Sequence, residues 1–101
     1  MLSLKPGITI GKLKPQMVLA CNIAAWCFIE ESYHTTVTSG DDGKHGIGSL
    51  HYDGEAIDLR INHIPSSDTV ARIVEKLKTN LGNNYDVVLE SDHIHIEFDP
   101  N

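Results

Sequence analysis

Four side chains able to bind metal or move protons fall close together in the segment Glu90-Ser91-Asp92-His93-Ile94-His95. Far from them in the chain, His51 stands seven residues before Asp58, in a glycine-rich stretch. Imidazole and carboxylate are the donors zinc takes in a catalytic site, where three protein ligands leave one position open for water. Zinc in such a site brings the pKa of that water down to about 7, making a hydroxide-like nucleophile at neutral pH. The same residue types also decorate ordinary solvated surfaces. What separates the two cases is whether the elements of the fold gather them on one face.

Side chains alternate along a strand, and that alternation sorts these residues. Segment 55–62 (EAIDLRIN) reads as a strand with Ile57, Leu59 and Ile61 on one face and Ala56, Asp58 and Arg60 on the other. Segments 85–90 and 93–98 read as two more strands joined by the two-residue turn Ser91-Asp92. That turn sets Glu90 opposite His93, Val88 opposite His95, and Leu89 and Val87 opposite Ile94 and Ile96. One face of the sheet is then apolar. The other collects Asp58, Glu90, His93 and His95, with Glu97 on the same side of the last strand.

Two helices must cover the apolar face. Pro15 suits the first turn of a helix running to Glu31 or Ser32, and its apolar residues lie nearly all round, as expected for a buried central helix. Trp26 and Phe28 are expected in the core. A second helix is expected from Ser67 to Leu81, capped by Ser66 or Ser67, favoured by Asp68 and closed by Gly82. Val70, Ile73, Val74, Leu77 and Leu81 form its apolar stripe. Residues 1–14 read as an extended lead-in, Thr35 to Ser39 as a short strand, and Gly40 to Gly54 as a loop holding five of the eight glycines. His34 and His63 are expected at the surface. The order helix, strand, strand, helix, strand, strand implies an α+β fold, mainly antiparallel, with the helices on one face and residues 1–101 as one domain.

Eight basic against fourteen acidic residues give a net charge of −6, which disfavours a nucleic-acid phosphate tracker and an anionic membrane surface. The apolar run Met17 to Ile29 is short of the roughly 17–25 residues a spanning helix needs, and Asn22 interrupts it, so no membrane insertion is expected. The segment before Val18-Leu19-Ala20-Cys21 lacks the apolar core of a lipoprotein signal, so no export signal is expected either. Cys21 and Cys27 lie six apart on one helix, about 9 Å of rise and about 240° of rotation, which is badly aimed for a disulfide. Both are read as small core residues.

Ser49-Leu50-His51-Tyr52-Asp53-Gly54-Glu55-Ala56-Ile57-Asp58 closely resembles the S-x-H-x-x-G-x-A-x-D metal motif of the D-Ala-D-Ala metallopeptidases (the LAS group) and of the hedgehog signalling domain. Their second motif, a His-x-His strand closely preceded by an acid, is matched by Glu90 to His95, and the resemblance spans Val37 to Phe98. It implies a small α+β hedgehog/DD-peptidase-like domain with zinc (Zn2+) held by His51, Asp58 and His95. It makes Asp92 the general base, with Glu90 a competing candidate, and places His93 beside the metal. The implied activity is metal-activated hydrolysis of peptidoglycan stem peptides, at the D-Ala-D-Ala end or at an internal bond such as L-Ala to D-Glu. The family's Ser-Gly-x-Arg segment reads Ser39-Gly40-Asp41-Asp42-Gly43-Lys44-His45 here, leaving Lys44 or His45 to supply the positive group for substrate and oxyanion. A monomer is expected, made in the cytoplasm and brought to the wall by phage lysis or within a virion. The missing arginine points to an alternative: a non-catalytic, zinc-stabilised binding or structural module. Non-haem iron chemistry on two histidines and a carboxylate fits less well, since 101 residues are few for the double-stranded barrel that customarily carries it.

Overall fold

In the computed structural model, residues 2–4, 14–39 and 55–100 are described. Two helices, α1 (Pro15–Glu30) and α2 (Ser67–Leu81), pack on a five-stranded sheet. Its strands are β1 (Leu2–Leu4), β2 (Thr35–Ser39), β3 (Ala56–Arg60), β4 (Tyr85–Leu89) and β5 (His93–Phe98), in the order β1-β2-β3-β5-β4. The α+β architecture expected from the sequence is therefore present. Four strands run antiparallel, and β1 adds a parallel pairing with β2 in what had read as a lead-in. Parallel neighbours need a crossover connection, and α1 lies between these two in the chain.

The hairpin register matches the alternation argument: Val88 pairs with His95, Leu89 with Ile94, and Val87 with Ile96. At the turn, the Glu90 N–H donates to the His93 carbonyl at 2.9 Å. β3 then lies against the free side of β5, with Asp58 opposite His95 and Arg60 opposite His93. The strand read over 55–62 is shorter, Ala56 to Arg60, because the chain turns away at Ile61 towards α2, where the Ile64 N–H donates back to the Ile61 carbonyl at 3.0 Å.

The apolar sheet face meets both helices. Val37, Ile57, Leu59, Val87, Ile94 and Ile96 pack there against Met17, Phe28, Ile73 and Leu77, among others. Ser66 caps α2, its Oγ accepting from the Thr69 N–H at 3.3 Å. Gly82 ends α2 with φ +82°, in the left-handed region that suits glycine. Tyr85 Oη donates to the Gln16 carbonyl at 2.8 Å, tying β4 to the start of α1.

Helix α1 departs from expectation. It is covered on one side only, through Met17, Ala20, Cys21, Ala24, Cys27 and Phe28. Trp26, expected in the core, is 66% exposed, and Val18, Leu19 and Ile29 are exposed with it. The inward stripe is largely small residues, which let the helix approach its neighbours closely. Leu19, Trp26 and Ile29 (i, i+7, i+10) share the opposite side. Phe28 is fully buried, as expected. Among the described residues no helix is long and apolar enough to cross a membrane.

Both cysteines are buried free thiols. Burial pushes the Cys21 thiol up from 9.0 to about 11, and Cys27 is raised by burial and by Glu30. Since the thiolate is the reactive species, a two-unit rise leaves about 100-fold less of it at pH 8. The folded protein is expected to resist a disulfide-exchange reagent at that pH, while denaturant releases two reactive thiols. Rapid labelling of either cysteine in the folded protein would show that α1 does not hold its packing.

Candidate metal centre

β3 and β5 are the inner strands that carry the candidate ligands. Each is paired on both sides, which makes a rigid floor for a site. Asp58 and His95 face each other across them, with His95 Nδ1 2.9 Å from Asp58 Oδ1. The second ring nitrogen, Nε2, lies 2.9 Å from Glu97 Oε1. The His95 side chain is 20% exposed and that of Asp58 is 15% exposed. The hydrogen bond to Asp58, followed by the one to Glu97, raises the imidazole above its usual pKa, against the opposing effect of burial. A carboxylate at each nitrogen favours the protonated form of this ring.

His93 and Asp92 extend the group. His93 Nδ1 lies 2.6 Å from Asp92 Oδ1, and its Nε2 lies 3.6 Å from Asp58 Oδ1. The order Asp92, His93, Asp58, His95, Glu97 therefore forms one run of alternating acid and imidazole. A bulge in β2 sits beside it: Val37 pairs with Leu59 and Ser39 with Asp58, so two steps on β2 oppose one on β3. Bulges of this kind re-aim a strand and are common next to functional sites.

The structure thus brings together Asp58, His93, His95 and Asp92. Glu90, whose N–H donates to the His93 carbonyl, lines a cavity at the hairpin turn together with Asp92. His51, Lys44 and His45 fall, with the loop Gly40 to Gly54, outside the described residues. Glu97 was placed on this face by alternation, but its contact with His95 was not foreseen. A carboxylate two residues on in an extended strand is the signal that pointed to it.

No family model matches the chain. The curated proteins searched contain no match either. Any assignment therefore rests on the residues themselves. Two of the three donors assigned to zinc, Asp58 and His95, lie among the described residues, and both are of types that zinc takes. A carboxylate oxygen and an imidazole nitrogen converge from two rigid strands, and the far nitrogen of that imidazole meets a carboxylate, the usual outer partner of a metal-bound histidine.

Among the described residues, a different trio brings three ligand atoms within 4.8 Å of one another: Asp86, Glu97 and Asp99. It is all oxygen, a set suited to hard cations rather than to zinc, and Asp86 and Asp99 are exposed. Loss of solvent, then the hydrogen bond and charge of Asp99, raise the Asp86 carboxyl above its usual range. His34 and His63 are exposed, as expected. His63 Nε2 donates to the His34 carbonyl at 2.7 Å, and its ring stacks on Phe28 with centroids 6.4 Å apart. They anchor the end of α1 rather than joining the site.

Proposed function

We propose that this chain is a zinc-dependent peptidase of the hedgehog/DD-peptidase type, hydrolysing peptide bonds in peptidoglycan stem peptides. The observation that carries the proposal is the 2.9 Å approach of His95 Nδ1 to Asp58 Oδ1. These residues come from the two separate halves of the sequence motif, and side-chain alternation alone does not require β3 and β5 to be neighbours.

Asp58 and His95, with His51 from the preceding loop, would hold the zinc. When bound there, zinc supplies a water acidic enough to ionise near neutral pH and polarises the carbonyl under attack. Asp92 takes the proton of the attacking water and returns it to the leaving amine. His93, bonded to Asp92 and close to Asp58, orients the base and stands beside the place where the oxyanion develops. Lys44 or His45 supplies the remaining cation for the substrate. Acting on wall peptides calls for delivery to the wall, which phage lysis or a place in a virion would provide.

Amine release from purified peptidoglycan, by zinc-loaded protein and by a chelated control, tests the proposal. Release only with zinc is expected, and the fragment masses name the bond cut. Bound zinc with no release from walls or short stem peptides would overturn it in favour of a second reading, a non-catalytic zinc-stabilised module. The feature favouring that reading is Asp42 at the place where the Ser-Gly-x-Arg pattern has arginine.

A further inference from the structure

A cavity of about 390 Å³ opens between the β4–β5 turn, the segment after β3 and the first turn of α2. Ile61, Ile64, Val70 and Leu89 supply much of its apolar wall, while Glu90 and Asp92 stand at it with acidic groups. Its volume falls within the range of small-ligand pockets. No lysine or arginine occurs among its described lining residues. The positive end of α2 is answered within the helix itself, by Ser66 on the Thr69 N–H and by Asp68 in the first turn.

An apolar wall beside two carboxylates suits one kind of side chain: methylenes that lie on the wall, ended by an ammonium that stays with the acids. Lysine side chains lie on apolar surfaces in this way, burying the stem and keeping the charged head wet. Asp92 links this cavity to the metal centre, since the same carboxylate is bonded to His93. A peptide crossing the turn would touch both.

We infer that this cavity is a specificity subsite for a lysine-type residue of the substrate, an alkyl side chain ending in an ammonium, with Glu90 as its principal charged partner. The inference rests on the peptidase reading for its substrate class. It also gives Glu90 a role different from that of Asp92.

The test is amide chemical-shift mapping on the full chain, with and without added zinc. The probes are acetyl-alanyl-X-alanine amides in which X is lysine, norleucine or Nε-acetyl-lysine. The lysine peptide is expected to shift the amides of Ile61, Val70 and Leu89 and to bind about 5-fold tighter than the norleucine peptide, the scale of one solvent-accessible ion pair. Glu90→Gln should remove that preference while leaving norleucine binding in place. Equal binding of lysine and norleucine, or shifts elsewhere on the fold, would overturn the subsite. Cleavage is scored separately. Lysine preference with no hydrolysis of walls or short stem peptides would sink the peptidase and keep the subsite, and hydrolysis of those without preference would do the reverse.

Discussion

Alanine at Asp58 is expected to strip zinc from the purified protein and to lower amine release by more than about 100-fold. Loss of an outer partner of a metal ligand already costs about 10–100-fold in affinity or activity, and Asp58 is assigned as a ligand itself. It is also the acceptor 2.9 Å from His95 Nδ1, so its removal takes away one of the contacts that orient the ring assigned as the next ligand. The fold should survive, because the core lies on the opposite face of the sheet, built from Ile57, Leu59, Ile94, Ile96 and the two helices. The check is zinc content by atomic emission alongside circular dichroism. A double variant, Asp86→Asn with Asp99→Asn, should keep its zinc. Retention of zinc in Asp58→Ala, or its loss only in the double variant, would place the metal at the all-oxygen trio and end the motif assignment.

Much of this site was legible because strand alternation is a rule about neighbours in the chain. His93, His95 and Glu97 had to share a face once that segment was extended, and a two-residue turn had to put Val88 opposite His95. The contact between Asp58 and His95 was not legible on the same grounds. It depends on β3 pairing with β5 instead of β4, a choice made by packing between distant segments. β1 was missed because three residues, Leu2 to Leu4, are too few for a pattern to show. Trp26 was misplaced for a different reason. α1 is apolar on nearly every side, so its sequence does not say which side turns inward. The small residues Ala20, Cys21, Ala24 and Cys27 settle that, by allowing close approach to α2 and the sheet.

Alanine at Asp92 is expected to do the opposite of alanine at Asp58: zinc stays and turnover falls. Removing a positioned general base costs about 100- to 10,000-fold. Asp92 sits in the two-residue turn, where its side chain is 80% exposed and bonded to His93 Nδ1 at 2.6 Å. So exposed a carboxylate adds little to stability, and the unfolding midpoint should barely move. A base so exposed is also open to the substrate, as proton transfer requires. Assayed beside Asp92→Ala, Glu90→Gln decides between the two acids. The base is the one whose loss lowers kcat while the metal remains, whereas a side-chain subsite shows itself as a changed KM on lysine peptides. Zinc loss on Asp92→Ala would make Asp92 a ligand and remove it from proton transfer. A collapse of kcat in Glu90→Gln alone would move the base to the cavity side of the turn, leaving the Asp92–His93 pair a structural role.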